Sequence, residues 1–178
     1  MAGSARAAER FQASMFRSAL VAGTSVVLIA ESPRGLAGFA EVSQAGESQS
    51  VATVARAAVA AMGVGGALRA ATRWPARLKV DMAIPEGGVH LVELQVAPAM
   101  RNRGIGGFLL ARVHDHAIAQ SAAHVSLTTA TDNHARGLYL CNGYRVLDEK
   151  VNARYERITG SAGRVLMVND LEPGQAGR

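Results

Sequence analysis

Residues 91–110 have the sequence LVELQVAPAMRNRGIGGFLL, and their pattern predicts the central unit of the fold. Its first part belongs to an apolar segment at 90–96 that is typical of a β-strand. Pro98 and the polar residues after it indicate a loop at 98–103. Apolar residues at helical spacing then predict an α-helix at 105–120. The chain therefore contains a strand–loop–helix unit whose loop is basic and rich in glycine.

This loop has the chemistry of a phosphate-binding site. The first turn of a helix has unpaired backbone N–H groups and a partial positive charge, and both attract anions. Gly104, Gly106 and Gly107 have no side chain that would keep a ligand away from the backbone. Arg101 and Arg103 add two positive charges that suit a pyrophosphate. The unit is a candidate site for a ligand that carries a diphosphate.

Two common nucleotide-binding signatures do not fit this stretch. The phosphate-binding loop Gly-x-x-x-x-Gly-Lys-Ser/Thr is absent from the sequence. The dinucleotide fingerprint requires a third glycine three residues after the second, and here Gly104-Ile-Gly106 is followed by Leu109 at that position. Glycines alone also suit an ordinary junction between a loop and a helix, so the identity of the ligand depends on other residues.

Composition limits the class of protein. The chain has 178 residues, about the size of one domain, and 49% of them are hydrophobic, which excludes wholesale disorder. It has no run of about 18 apolar residues, so we expect no membrane span. The one cysteine, Cys141, excludes an internal disulfide framework and fits a reducing compartment. We therefore expect a cytoplasmic protein, with Cys141 as a small packing residue.

Positive charge is concentrated in the first half of the chain. Residues 1–80 contain 9 Lys/Arg and 4 Asp/Glu, whereas residues 81–178 contain 10 of each. The densest group is Arg69, Arg73, Arg77 and Lys79. This group could meet an anionic partner or could be a solvated helix end. Nucleic acid is the weaker partner, because no binding motif or aromatic stacking platform accompanies the arginines.

The remaining segments complete an alternating order of strands and helices in one domain at 1–178. Patterning predicts helices at 5–20, 51–72 and 135–141. It predicts strands at 26–30, 36–42, 125–130, 144–149 and 164–169, the first two forming a hairpin at 25–43. Segments 1–24 and 171–178 are expected to be loose or shortened.

Two motifs together resemble the GNAT superfamily of acetyltransferases. The family's hallmark, Arg/Gln-x-x-Gly-x-Gly/Ala after a strand ending in Val-x-Pro, is matched by Arg101-Asn-Arg-Gly104-Ile-Gly106 after Val96-Ala-Pro98. About 30 residues on, Ala135-Arg-Gly-Leu138-Tyr139 and then Gly143-Tyr144 match its Ala-x-x-Leu-Tyr helix and Gly-Phe/Tyr pair. The motifs have the family's order and spacing and cover roughly a third of the chain.

The resemblance implies an α/β (α+β) fold, in which helices flank a mixed, mostly antiparallel central sheet. It also implies a splay between the strands at 91–96 and 125–130, where acetyl-CoA would bind. Backbone groups of Leu94, Gln95 and Val96 would pair with the pantetheine arm. The pyrophosphate would bind Arg101 and the amides of Asn102, Arg103, Gly104, Ile105, Gly106 and Gly107.

The resemblance further implies the catalytic groups. Tyr139 would protonate the departing thiolate, because a phenol keeps its proton at neutral pH. Glu93 is the candidate base for the amine, and His90 is a second candidate. Family members often have an asparagine three residues before the alanine that matches Ala135. This chain has Asp132 there and Asn133 next, so either Asp132 substitutes or Asn133 shifts into place.

The sequence allows two classes of acceptor amine, a small molecule or the end of a peptide. The basic first half argues against strongly cationic acceptors, because like charges repel. We expect no metal, since no histidines or cysteines have metal-ligand spacing. A homodimer stays open, because the family's first strand is not evident before residue 25. The alternative function is a non-catalytic acyl-CoA-binding regulatory domain on the same fold.

Overall fold

The computed structural model describes residues 25–33, 35–44 and 74–171. The predicted helices at 5–20 and 51–72, Arg69, Arg73 and nearly all of the tail after Asp170 lie outside these residues. Six strands are described, namely β1 (Ser25–Ser32), β2 (Gly35–Gln44), β3 (Val89–Val96), β4 (His124–Ala130), β5 (Arg145–Val151) and β6 (Gly163–Asp170). The helices are α1 (Trp74–Leu78), α2 (Ile105–Ala119), α3 (Arg136–Cys141) and α4 (Ala153–Thr159), with a 3₁₀ turn at Pro98–Met100.

The strands form one mixed sheet in the order β1-β2-β3-β4-β6-β5. Every neighbouring pair is antiparallel except β3 and β4, which run parallel. The predicted mixed, mostly antiparallel sheet is therefore confirmed, and the predicted hairpin at 25–43 is the β1–β2 pair. Within the described ranges, no helix combines the length and the apolar character that a membrane crossing requires.

Helix α2 covers one face of the sheet. Its buried side chains are Leu109, Leu110, Val113 and Ala117, spaced so that they lie on one side of the helix. They pack in one cluster with inward-facing residues of β2, β3, β4 and β6. Burying each leucine or valine stabilises the fold by about 1.5–3 kcal/mol relative to leaving it exposed. This packing holds α2 against the sheet.

The two central strands separate after three residue pairs. β3 and β4 pair at Val89–Val125, His90–Ser126 and Leu91–Leu127, and no later pair joins them. The predicted splay is therefore confirmed, and it opens at Leu91.

A β-bulge in β3 lies at the same point. Glu41 of β2 pairs with Glu93, and Val42 pairs with Leu91, so Val92 is an extra residue in β3. The bulge reverses which residues face the core. Val89 and Leu91 belong to the core before it, and Leu94 and Val96 pack against the core after it. Glu93 and Gln95 consequently face away from α2, as expected.

Helix α4 is an element that the sequence analysis did not predict. It begins after Asn152, whose side chain accepts hydrogen bonds from the N–H groups of Arg154 and Tyr155, and it ends at Gly160 with a left-handed φ of +84°. At 7 residues it is too short to show an apolar stripe.

The prediction for Cys141 is wrong, because its side chain is exposed. Cys141 lies two residues after the buried Tyr139, and such residues lie on opposite sides of a helix.

Candidate active site

A large cavity of about 880 Å³ lies where the splay meets the start of α2. Most of the predicted site residues line it, namely Leu94, Gln95, Val96, Arg101, Asn102, Gly104, Ile105, Gly106, Gly107, Asn133 and Tyr139. Three predicted site residues do not line this cavity, namely Arg103, Asp132 and Glu93. The loop, the strand and α3 are thus brought together around one space.

Glycine suits each of the three loop positions for a different structural reason. Gly104 precedes α2 with a φ of +78°, a conformation that glycine adopts without strain. A Cβ atom at Gly106 would lie 2.9 Å from the Leu138 side chain, so glycine there allows α2 and α3 to touch. A Cβ atom at Gly107 would meet nothing within 4 Å, because it would stand in the cavity. The start of α2 is therefore accessible to a ligand.

The strand side of the cavity offers backbone groups. The N–H of Ala97 donates to Ala37 O at 2.8 Å, towards β2. Since successive peptide groups of a strand point to opposite sides, the N–H and C=O of Val96 and Leu94 point into the splay. Arg101 lies beside them, with its Nε 3.4 Å from Val96 O.

The two candidates at the Asn position lie in different surroundings. Asn133 lines the cavity, where its Nδ2 donates to Thr129 Oγ1 at 2.6 Å and its Oδ1 accepts from the Ala135 N–H at 2.8 Å. Asp132 lies outside the cavity and accepts a hydrogen bond from Ser161 Oγ at 2.6 Å, which lowers its pKa. Asn133 is therefore the one placed to reach a ligand.

Tyr139 is held in place by aromatic packing. Its side chain is 7% exposed, and its ring meets the edge of Tyr144 at 5.8 Å between centroids. The hydroxyl of Tyr144 lies 3.1 Å from Nε2 of His114. Burial lowers the pKa of His114, so the neutral ring can accept this hydrogen bond. Burial, and then the negative charge of Glu93, raise the pKa of Tyr139, so its phenol stays protonated at neutral pH.

A small cavity of about 360 Å³ lies on the other side of the splay. Its lining is mainly polar and includes Arg77, Glu93, Thr128, Tyr155 and Arg164. Three residues line both cavities, namely Leu94, Asn133 and Tyr139. The two cavities therefore meet at the Tyr139 side chain.

Glu93 lies in the small cavity beside a second carboxyl group. Its Oε1 accepts a hydrogen bond from Gln95 Nε2 at 3.1 Å. Glu41 is its cross-strand partner and is 5% exposed. Burial raises the pKa of Glu41, a hydrogen bond with Ser25 lowers it, and the charge of Glu93 raises it.

His90 lies apart from the two cavities. Its Nδ1 is 2.9 Å from Ser126 Oγ, and burial together with the charge of Arg164 lowers its pKa to about 4. Within the described part of the chain, no three His, Cys, Asp or Glu side chains converge as metal ligands.

Sequence reasoning missed Glu41, Tyr155 and Arg164, and it noted Arg77 only as part of a basic group. These residues come from β2, α4, β6 and α1, and no local motif connects them. The available signal was Arg164 itself, a charged residue that directly precedes the apolar run at 165–168 in the predicted strand.

Comparisons with known proteins agree with this architecture. Residues 23–146 match the acetyltransferase (GNAT) domain family. The fold is similar to that of nourseothricin acetyltransferase, with 19% identity, a TM-score of 0.51, and 84% of this chain and 66% of that chain covered. It is also similar to Chaetomium thermophilum Naa20 in complex with a bisubstrate analogue, with 22% identity, a TM-score of 0.52, and 82% and 65% covered. A Bacillus subtilis acetyltransferase in complex with CoA has 14% identity and a TM-score of 0.56, with 84% and 79% covered.

The first two of these structures are longer, and the chain spans slightly less than two thirds of their length. A search of curated proteins finds no match to the sequence. The family match covers more than half of the chain, and it includes the loop, the splayed strands and Tyr139. The chain therefore belongs to the GNAT acetyltransferase domain family, whose members are acyltransferases that use acetyl-CoA.

Proposed function

We propose that this chain transfers the acetyl group of acetyl-CoA directly to a primary amine. The observation that carries the proposal is the meeting of two cavities at Tyr139, within the splay. One cavity has the loop that suits a diphosphate, and the other has a carboxylate that suits an amine. A direct transfer requires that both substrates reach one point from different sides.

Acetyl-CoA is assigned to the large cavity. At about 880 Å³, the cavity lies within the range of sites for cofactor-sized ligands. The pyrophosphate would bind the amides at 102–107 and Arg101, and the pantetheine arm would pair with the backbone of Leu94 and Val96. Arg103 lies outside the cavity wall, so Arg101 supplies the nearer charge. Asn133, rather than Asp132, would contact the ligand.

The acceptor is assigned to the small cavity, where Glu93 would take a proton from the ammonium, directly or through water. The amine nitrogen then bonds to the acetyl carbon, the carbon–sulfur bond breaks, and the nitrogen gives its second proton to water as it becomes an amide nitrogen. The backbone N–H of Val96 would stabilise the charge on the carbonyl oxygen. Tyr139 would give its proton to the thiolate and regain one from solvent. His90 has no place in this scheme because it lies outside both cavities.

The test is a calorimetric titration of the chain with acetyl-CoA, followed by an assay of CoA release with a panel of amines. Gly104→Glu should weaken acetyl-CoA binding by about tenfold or more, equivalent to ~1.4 kcal/mol, because a carboxylate would face the phosphates. Gly160→Glu is the matched control. Gly160 also has a left-handed φ and open space around it, but it ends α4 and lines neither cavity. The control should therefore bind acetyl-CoA normally.

Absence of binding by the unmodified chain would overturn the proposal. Binding without transfer to any amine, together with no effect of Tyr139→Phe, would favour the non-catalytic acyl-CoA-binding domain.

A further inference from the structure

Two arginines from distant parts of the chain share the small cavity. Arg77 comes from α1 and Arg164 from β6, and both side chains line the cavity with Glu93 and Tyr139. Arg164 faces away from α2 because its neighbour in β6, Val165, packs into the core beneath α2, and side chains alternate along a strand. The arginines therefore lie on the face from which the acceptor would enter.

Neither guanidinium is neutralised within the described part of the chain. No ion pair and no side-chain hydrogen bond is found there for Arg77 or Arg164. Asp81 lies close enough to attract Arg164, yet it forms no ion pair with it. Burial, and then the charge of Arg77, lower the pKa of Arg164. Arg164 is partly buried and Arg77 is exposed, and an anion bound between these two like charges would offset their repulsion.

The other groups of the small cavity suit an anion only on the side of Arg164. Tyr155 of α4 and Thr128 of β4 can donate hydrogen bonds near Arg164. Glu93 lies on β3, and β4 separates this strand from β6, which carries Arg164. The cavity is thus positive towards β6 and negative towards β3. At about 360 Å³, it is near the lower limit for small-molecule sites.

We propose that the acceptor is a small amine that also carries an anionic group, a carboxylate or a phosphate. This inference rests on the proposed function. The anionic group binds Arg77 and Arg164, and this contact directs the amine towards Glu93 and Tyr139. Arginine suits both anions, since its planar fork of N–H donors binds either with two parallel hydrogen bonds.

The experiment is a competition among amines for the full chain and saturating acetyl-CoA, with acetylated products measured by mass spectrometry. The mixture contains α-amino acids with their carboxamides and decarboxylated amines, and an amino sugar with and without a phosphate. Anionic members should be acetylated at least about tenfold faster than their neutral counterparts, since a charge-assisted hydrogen bond is lost in the latter. Comparing each carboxylate or phosphate compound with its counterpart that lacks the anionic group shows which of the two anions the site binds.

Three variants assign the effect to the arginines. Arg77→Gln alters an exposed residue of a short helix, so it tests the proposal even if Arg164→Gln fails to fold. Both should raise KM for the anionic acceptor about tenfold or more while acetyl-CoA affinity stays constant. Arg157→Gln, on the exposed side of α4, should change neither value.

Equal or faster acetylation of neutral or purely cationic amines would overturn the inference and leave the proposed function standing. So would acetyl-CoA binding with no transfer to any anionic amine, or an unchanged KM in the Arg77 and Arg164 variants. Absence of acetyl-CoA binding would instead overturn the proposed function itself.

Discussion

Glu41 and Glu93 are cross-strand partners in the antiparallel pair of β2 and β3, so their side chains lie on the same face of the sheet. Glu41 is nearly buried, and its pKa is raised by burial more than by the neighbouring charge of Glu93. Like charges at directly opposed positions destabilise a sheet. The pair therefore lowers stability next to the proposed acceptor site, as is common where function requires a charge.

Replacing Glu41 with Gln should stabilise the protein at neutral pH. The folded-state pKa of Glu41 lies above its ordinary value of 4.5. The contribution of Glu41 to folding stability is therefore present below pH 4.5 and is lost as pH rises through the folded-state pKa. Gln can still accept the hydrogen bond from Ser25 and carries no charge. Urea unfolding should show a higher midpoint for Glu41→Gln at pH 7 and no difference well below pH 4.5. The exposed Glu31→Gln is the control, and a lower midpoint for Glu41→Gln at pH 7 would contradict this account.

The contribution of His90 to folding stability should depend on pH with the opposite sign. Its pKa falls from 6.5 to about 4 on folding, so its contribution is present above pH 6.5 and is lost as pH falls through 4. The loss amounts to about 3 kcal/mol, at 1.36 kcal/mol for each pKa unit. His90→Gln should therefore flatten the dependence of unfolding free energy on pH between 7 and 4. The exposed His134→Gln should leave it unchanged, and an equally steep curve in both variants would exclude His90 as the source.

Tyr139→Phe should lower kcat by roughly 10²- to 10⁴-fold, the usual contribution of a general acid. The phenyl ring keeps the contact with Tyr144, so the affinity for acetyl-CoA measured by calorimetry should change little. Tyr144→Phe is the control, because its hydroxyl bonds to His114 away from both cavities. If the Tyr144 variant lost as much turnover as the Tyr139 variant, the effect would come from packing rather than from proton transfer.

Glu93→Gln should lower kcat/KM by roughly 10²- to 10⁴-fold, because Gln cannot accept the proton of the amine. Gln95→Ala removes the hydrogen-bond donor to Glu93 but keeps the carboxylate, so it should cost much less. A loss in Glu93→Gln no larger than that in Gln95→Ala would show that Glu93 does not act as the base. A large loss in His90→Gln would point instead to the second candidate.

The parts of this molecule that could be predicted from the sequence are those set by local patterns. The strand–loop–helix unit follows from apolar spacing and from the glycines at 104–107. Helix α4 was missed because its signal is one capping residue, Asn152, rather than a stripe. The meeting of Arg77 with Arg164 could not be found, because it depends on the sheet order that brings β6 next to β4.

The bulge at Val92 offers the sharpest test that the splay binds acetyl-CoA. With Val92 deleted, Leu91, Leu94 and Val96 would still face the core, because the remaining residues alternate regularly, and β2 would pair with β3 without a register shift. Val92 is 47% exposed, so its removal leaves no hole in the core.

The regular strand could then continue its parallel pairing with β4 beyond Leu91–Leu127 and close the splay. The deletion variant should fold with a similar unfolding midpoint but bind acetyl-CoA at least about tenfold more weakly, since the backbone groups of the strand would pair with β4 instead. Val92→Ala keeps the extra residue and should bind normally. A deletion variant that folds and retains full affinity would mean that the splay does not depend on the bulge, and that helix packing alone holds the two strands apart.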